Sequence, residues 1–167
     1  MSDAYYECRR IELQEFTDRP QPIFSSKNLP VSPAQLFASF GSAEDWETWV
    51  PIIDSVTWTS PQPFGPGATR SVKTTDGTTA KEEFIAWEPG KRMAFRFNET
   101  TNARLQALAE DYRVEETDTG CRLTWTMILE IKGIPGVVMR LFAPVMRWNQ
   151  RRFLRRLAAL LEQRAVL

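Results

Sequence analysis

The sequence predicts an α+β domain in which an antiparallel sheet is combined with one long C-terminal helix. Three observations support this prediction. Two short helical segments with clear start and stop signals lie within residues 29–51, residues 54–131 alternate between apolar and polar positions, and a helical apolar period then runs from residue 136 to about residue 164. Alternation is the period of a strand and a repeat of about 3.6 residues is that of a helix, so the change of period marks the change of element.

One strand and two short helices are predicted at the start of this order. Residues 23–31 form the first clear strand. Ser32 is a good N-cap for the first helix, and Pro33 follows at a position where a missing N–H is tolerated. Ser42 is the N-cap of the second helix, which ends at Pro51.

Six antiparallel strands are predicted after the helices, and with residues 23–31 they make a seven-stranded sheet. Asp76 and Gly77 are a strong hairpin signal. The last strand has the clearest alternation, and its apolar set is Cys121, Leu123, Trp125, Met127, Leu129 and Ile131. We therefore expect one face of the sheet to be buried and the other to face water.

A long helix is predicted from residue 136 onward, with Pro144 expected to kink or divide it. An α-helix rotates by about 100° per residue, and this rotation places five apolar residues and one asparagine in a stripe on one side of the helix. The stripe consists of Met146, Asn149, Phe153, Leu157, Leu160 and Leu161. Arg147, Arg151 and Arg155 fall on the opposite side.

Length and composition indicate a single domain over residues 1–167, with residues 1–20 as a poorly defined N-terminal extension. The 21 basic and 21 acidic residues balance, so the global charge gives no reason to expect a nucleic-acid partner. The N-terminus is charged where a secretion signal would be apolar. Cys8 and Cys121 are expected to be free thiols, and the cytoplasm is the expected compartment. The sequence does not indicate an oligomeric state.

The sequence contains no histidine, which restricts its chemistry. Ser–His and Cys–His nucleophile pairs are excluded, and the commonest nitrogen ligand of metal ions is missing. Two cysteines are too few for a structural zinc site, and no phosphate-binding glycine motif is present. We therefore expect no metal and no cofactor. Any catalysis would depend on Asp, Glu, Tyr, Arg or Lys side chains.

Several motifs resemble those of one known superfamily. They are VSPAQLFASF at 31–40, the W-x-x-W-x-P pattern at 46–51, FGPGATR at 64–70, WEPGKRMAFRF at 87–97 and EDYRVEETDTGCRLTWTMIL at 110–129. With the order of elements, they make the chain similar to the START and birch-pollen-allergen superfamily (SRPBCC), and most similar to its polyketide cyclase/dehydrase-like branch. The resemblance implies a helix-grip fold, in which an incomplete seven-stranded barrel wraps around the long helix and encloses a cavity for a small hydrophobic molecule.

Inward positions of the predicted barrel have aromatic and methionine side chains that suit a hydrophobic ligand. They are Trp58, Phe95, Tyr112, Trp125, Met127, Met146 and Phe153. Asn149 is a candidate hydrogen-bonding partner for a ligand head group. Trp46 and Trp49 are expected near the cavity mouth, where they either gate entry or pack the short helices onto the barrel, and Trp49 is included among the candidate ligand-binding residues. The alternative for the whole set is a solid core.

Arg70, Glu110 and Tyr112 form a polar group on otherwise apolar faces. A buried charge is costly unless it is paired, so we expect a bidentate pair between Arg70 and Glu110 that also orients a ligand carbonyl or carboxylate. In an enzyme, Glu110 or Tyr112 would be the acid or base and Arg70 would polarise a carbonyl. A purely structural ion pair, or exposure of these groups to solvent, is the alternative.

The residues and the resemblance leave three functions open. The first is a carrier or binding protein for a lipid-, polyketide- or quinone-like molecule. The second is a metal-free cyclase, dehydratase or aromatase acting on a polyketide-like substrate, so whether the chain is an enzyme stays undecided. The third is an interaction protein with a basic helix face, because residues 131–161 contain no acidic residue. Arg147, Arg151 and Arg155 would then contact anionic lipid head groups at a membrane surface.

Overall fold

The computed structural model describes residues 4–18 and 20–166 and confirms the predicted α+β order of elements. Its strands are β1 Tyr6–Glu7, β2 Ile23–Leu29, β3 Ile53–Trp58, β4 Thr69–Thr74, β5 Thr79–Glu88, β6 Arg92–Thr100, β7 Leu105–Thr117 and β8 Gly120–Ile131. Its helices are α1 Glu15–Asp18, α2 Pro33–Phe40, α3 Ala43–Trp49 and α4 Gly136–Ala165.

Seven of these strands form one continuous antiparallel sheet in the order β2-β8-β7-β6-β5-β4-β3. They are the seven strands that the sequence predicts. β1 is an additional strand that the sequence analysis does not predict, and it pairs with β6 over two residues. The long helix α4 contacts β2, β8 and α3, so the sheet wraps around it in the predicted helix-grip arrangement.

Side-chain caps fix the starts of the two short helices. The Ser32 hydroxyl accepts a hydrogen bond from the Gln35 backbone N–H at 3.2 Å, and the Gln35 side chain accepts one from the Ser32 N–H at 2.9 Å. The Ser42 hydroxyl accepts from the Asp45 N–H at 3.2 Å. These bonds satisfy N–H groups that have no partner within the helix, and both predicted N-caps are confirmed.

The buried Asp45 carboxylate joins α3 to the end of α4. It accepts hydrogen bonds from the hydroxyls of Ser39 and Ser42 at 2.6 and 3.0 Å. Arg164 donates both terminal nitrogens to it at 2.5 Å. Because the Asp45 side chain is fully buried, this charged pair fixes the C-terminal end of the long helix to the short helices.

The long helix is continuous through Pro144, so the proline does not divide it. Its burial is uneven along its length. Ala143 is buried before the proline, whereas the buried residues after it are Gln150, Phe153, Leu154, Leu157, Ala158 and Leu161. Within the part of the chain that the structure describes, no helix is both long enough and apolar enough to cross a membrane.

The buried stripe of α4 is rotated relative to the predicted one. Gln150 and Leu154 are buried, whereas Asn149 and Leu160 are half-buried. Placing Leu154 rather than Asn149 against the barrel buries a larger apolar side chain. The Gln150 side-chain amide donates to the backbone oxygen of Trp125 at 3.4 Å, which partly offsets the cost of burying it.

The N-terminal segment covers part of the outer face of the sheet, which the sequence analysis expects to face water. Ile11 and Phe16 pack there on small or apolar residues of β7 and β8, namely Ala107, Ala109 and Ile128. Arg96 is buried at the same place and donates to the Ile11 backbone oxygen at 3.0 Å. The prediction of a fully wet outer face is therefore wrong, because small side chains leave room for the segment to pack.

Candidate functional site

A cavity of about 480 Å³ lies between the concave face of the sheet and α4. Its walls are mostly apolar and include Val72, Phe95, Phe97, Leu108, Trp125, Met127, Leu129, Met146 and Phe153. Small-molecule sites in proteins measure about 300–1,000 Å³ and are lined mainly by such side chains. The cavity therefore has the size and the lining of a ligand site.

The cavity is exposed at one end and closed at the other. Ile52, Thr75 and Asn102 lie at the exposed end. Arg70 and Glu110 lie at the buried end, where they are 2% and 8% exposed. The exposed end also includes the carboxylate of Asp76, so a molecule that enters the cavity would pass that group and apolar and hydroxyl side chains before it reaches Arg70 and Glu110.

Arg70 pairs with Glu82, and the predicted pair with Glu110 is wrong. Arg70 and Glu82 are direct partners on β4 and β5, and Arg70 Nε lies 2.6 Å from Glu82 Oε2. Their side chains are only 1% and 3% exposed. Burial raises the pKa of Glu82, and the charge of Arg70 opposes that rise. The two partners compensate each other's charge, as two buried ions must.

Aromatic rings surround the Arg70 guanidinium. Its Cζ atom lies 4.3 Å from the ring centroid of Trp46, 4.8 Å from Phe95, 5.1 Å from Phe84 and 5.5 Å from Trp58. At these distances the electron-rich ring faces stabilise a buried cation. Arg70 Nη1 is buried and has no hydrogen-bond partner among the described residues. One donor at the closed end of the cavity is therefore available to a ligand oxygen.

Glu110 and Tyr112 lie on the same face of β7, because side chains two residues apart on a strand point to the same side. The Tyr112 hydroxyl donates a hydrogen bond to Glu110 Oε2 at 2.5 Å. Burial raises the pKa of Glu110 to about 8, although that hydrogen bond opposes the rise. Burial and the neighbouring Glu110 also raise the pKa of Tyr112 well above its usual value. At neutral pH both side chains therefore retain their protons.

Stacked rings form the wall beside this polar pair. Tyr112 and Trp125 stack with centroids 5.3 Å apart and an interplanar angle of 16°. Trp125 and Phe153 stack at 6.4 Å. The buried indole N–H of Trp125 makes no hydrogen bond of ordinary geometry in the described part of the chain. It lies near enough to Glu110 to lower the pKa of that carboxyl. The wall thus combines flat apolar surface with an indole donor beside the Glu110 carboxyl.

Eight of the predicted ligand-binding residues line the cavity, namely Arg70, Phe95, Glu110, Tyr112, Trp125, Met127, Met146 and Phe153. Trp49, Trp58 and Asn149 lie outside its lining. Trp49 is fully buried against Trp46, with ring centroids 4.8 Å apart. Trp58 stacks on Phe64 at 3.8 Å. Trp46 and Trp49 are both buried, so they pack the short helices onto the barrel and do not form a gate at the exposed end.

Glu82 is the charged residue of the site that sequence reasoning missed, and Val72, Phe97, Leu108 and Leu129 of the apolar wall were not predicted as ligand-binding residues either. A hairpin centred on Asp76 places position 70 opposite position 82, and the register of β4 and β5 follows that rule. The two-residue turn that Asp76-Gly77 predicts would have placed Glu83 opposite Arg70, so the sequence signal alone misses the partner by one residue.

Comparison with known proteins identifies the family of this chain. Residues 23–162 match the model of the family described as "Polyketide cyclase / dehydrase and lipid transport". The uncharacterized protein Rv2574 of Mycobacterium tuberculosis is 43% identical over 152 residues, which cover 91% of this chain and 91% of that protein.

Two solved structures have a similar fold. A START superfamily protein from Mycobacterium smegmatis superposes with a TM-score of 0.69 at 10% identity, covering 84% of this chain and 97% of the other. The di-domain ARO/CYC StfQ from the steffimycin biosynthetic pathway superposes with a TM-score of 0.64 at 16% identity, covering 87% of this chain and 51% of the other. At such identities the likeness shows the fold alone. Because the family model spans most of the sequence, the chain belongs to the polyketide cyclase/dehydrase and lipid transport family.

Proposed function

We propose that the chain is a carrier or binding protein for a small hydrophobic molecule with an oxygen atom at its buried end. Membership of the family supports a hydrophobic ligand in general. The finer proposal depends on the closed end of the cavity, where Arg70 Nη1 is a buried donor without a partner among the described residues and the Trp125 indole N–H lies beside the Glu110 carboxyl. A carbonyl, hydroxyl or carboxylate oxygen would accept from these donors while the rest of the ligand contacts the apolar wall.

The charges at the closed end favour a neutral or singly negative ligand. Arg70 and Glu82 compensate each other, and the pKa of Glu110 of about 8 keeps that carboxyl neutral at neutral pH. A cationic ligand would lose its hydration without an unpaired carboxylate to compensate its charge, because Glu82 is paired with Arg70 and Glu110 is neutral. Lipid-, polyketide- and quinone-like molecules all have suitable oxygens, so the proposal covers this class as a whole.

Binding of the dye anilinonaphthalene sulfonate (ANS), which has an apolar ring system and one sulfonate, tests the proposal. We expect saturable one-to-one binding by calorimetry. Leu108→Trp places a larger side chain in the cavity and should weaken dye binding about tenfold. A tenfold change in the dissociation constant corresponds to about 1.4 kcal/mol of binding free energy. Ile85→Trp changes a half-buried residue on the outer face and is the matched control.

The dye-binding experiment distinguishes a supporting outcome from a contradicting one. Weaker binding by Leu108→Trp alone would support the proposal, and native mass spectrometry of protein from its own host should then show a co-purified apolar molecule. Absence of saturable binding by the wild-type protein, or equal binding by both variants, would contradict it.

A second candidate function is a metal-free cyclase, dehydratase or aromatase, and the raised pKa of Glu110 favours it. A carboxyl that titrates near neutral pH both gives and takes a proton, and Arg70 in the same cavity would polarise a carbonyl. Glu110→Gln keeps the size of the side chain and removes its titration. Loss of turnover of a polyketide-like substrate in this variant, with ANS binding retained, would favour the enzyme. Unchanged turnover would exclude Glu110 as the acid or base.

The cytoplasm is the compartment we propose. Cys8 and Cys121 are both free and buried. Burial raises the pKa of each thiol, which makes both of them weak nucleophiles. A fold in which neither cysteine forms a disulfide suits a reducing compartment.

A further inference from the structure

The first half of α4 exposes large apolar side chains to solvent. Val137 is 69% exposed, Leu141 77%, Phe142 52%, Val145 59% and Trp148 55%. These five residues are called the outer patch below. Single exposed apolar residues are ordinary on protein surfaces, whereas a contiguous group of large ones marks a site of interaction.

Apart from Phe142, the outer patch lies on the side of α4 that faces away from the barrel. At about 100° per residue, Val137, Leu141 and Trp148 form one narrow stripe. The buried residues Phe153 and Leu157 lie on the opposite side of the helix. From Val137 to Trp148 the stripe is about 16 Å long, since a helix rises about 1.5 Å per residue.

Exposed arginines continue the same face of the helix after the patch. Arg151, Arg152 and Arg155 are exposed, and the Arg152 Cζ atom lies 5.9 Å from the Trp148 ring centroid. Arg147 is half-buried, so only part of the predicted basic face is available. Residues 131–161 contain no acidic residue that would compensate these charges. The solvent side of α4 is therefore apolar in its first half and basic in its second.

We propose that this side of α4 docks the protein on membranes that contain anionic phospholipids. The apolar side chains of the outer patch would enter the boundary between head groups and acyl chains, and Trp148 would lie at that boundary. Arg151, Arg152 and Arg155 would contact lipid phosphates. A membrane surface supplies both partners at once, because its negative charge lies directly above apolar material.

A second copy of the chain fits this surface less well. In a two-fold symmetric dimer the patch would face itself, and the arginines of one copy would approach those of the other. Because residues 131–161 contain no acidic residue, nothing within this segment would offset the repulsion.

Docking here would bring the cavity close to lipid. Met146 lines the cavity and lies in the helix between Val145 and Trp148 of the outer patch. Ile131, at the end of β8, also lines the cavity and precedes α4 by a short turn. The docking inference goes beyond the proposed function, because it uses a different surface and does not require a particular ligand.

Co-sedimentation of the full chain with vesicles tests the inference. We expect binding to vesicles of phosphatidylcholine with phosphatidylserine, weaker binding to phosphatidylcholine alone, and weaker binding at high salt. Leu141→Glu should lower binding about tenfold. Arg151→Glu/Arg155→Glu should lower it by more than about tenfold, because each charge near the surface contributes about fivefold.

Two matched controls change the same residue types elsewhere. Phe24→Glu alters an aromatic side chain that is 48% exposed on β2, between the buried residues Ile23 and Ser25. Arg122→Glu reverses an exposed charge on β8. Both controls should bind vesicles like the wild-type protein, and all variants should keep the wild-type unfolding temperature.

Three results would overturn the inference. They are equal sedimentation with both kinds of vesicle, equal loss of binding in the controls, and a dimer in analytical ultracentrifugation that Leu141→Glu dissociates. The last result would identify a second copy as the occupant of the patch. ANS binding should be the same in Leu141→Glu and the wild-type protein, so a failure of docking is distinguishable from a failure of the cavity proposal.

Discussion

Replacing the buried carboxyl of Glu110 should flatten the dependence of stability on pH. Its pKa is about 8 in the folded protein, against an ordinary value of 4.5. Between these values the folded protein holds a proton that the unfolded chain has released. The stabilisation is therefore complete below pH 4.5 and is lost as the pH rises through about 8.

The size of the effect follows from the two pKa values. The difference between 4.5 and about 8 corresponds to about 5 kcal/mol of unfolding free energy. About 3 kcal/mol of this loss falls between about pH 5.5 and pH 9, which is a convenient experimental range. Glutamine is neutral throughout, so Glu110→Gln should lack this part of the slope.

Guanidinium unfolding at a series of pH values, followed by tryptophan fluorescence, measures the slope. Glu115→Gln removes an exposed carboxyl from the same strand and should follow the wild-type curve. Tyr112→Phe removes the hydrogen bond that lowers the pKa of Glu110, so the unfolding free energy of this variant should keep falling to a higher pH than that of the wild-type protein. Parallel curves for the wild-type protein and Glu110→Gln would refute the assignment of a neutral, buried Glu110.

Three further substitutions test contacts that hold the fold together, each measured by guanidinium unfolding. Asp45→Asn should lower the unfolding free energy by about 2 kcal/mol, because it weakens the charged pair with Arg164; no change would show that the pair is not needed. Gly120→Ala should lower it by more than about 2 kcal/mol, since the glycine has a φ of 147° and a Cβ would lie 2.1 Å from a backbone oxygen of β2. Gly65→Ala meets nothing within 4 Å and should be nearly neutral. Ile11→Ala should lower it by about 2 to 4 kcal/mol, and a neutral result would argue against packing of the N-terminal segment.

Local patterns were sufficient to predict most of the fold. The alternation in residues 121–131 identifies β8 because one face of that strand packs on the core and the other does not. Ser32 and Ser42 identify the starts of α2 and α3 because a hydroxyl at that position satisfies backbone N–H groups. These features depend on residues that are close together in the sequence, so one amino-acid sequence is enough to predict them.

Features that depend on distant contacts were predicted less well. The N-terminal segment packs on small outward residues such as Ala107 and Ala109, and no local period indicates that contact. Leu154 and Asn149 lie on different sides of α4, and the shape of the barrel determines which of these sides is buried. The inward positions of Arg70 and Glu110 were predicted, but their actual partners follow from strand register and from a side chain two residues away.

The same features that make the cavity a candidate site also lower the stability of the chain alone. A volume of about 480 Å³ that protein atoms do not fill reduces dispersion contacts in the core. Buried donors such as Arg70 Nη1 each cost about 1 to 3 kcal/mol when they are unsatisfied. A ligand that fills the volume and accepts from these donors would relieve both effects. At about 100 times its dissociation constant such a ligand adds about 2.7 kcal/mol to the unfolding free energy. The buried pair of Arg70 and Glu82 has a desolvation cost of its own, and an oxygen that accepts from Arg70 Nη1 would offset part of it.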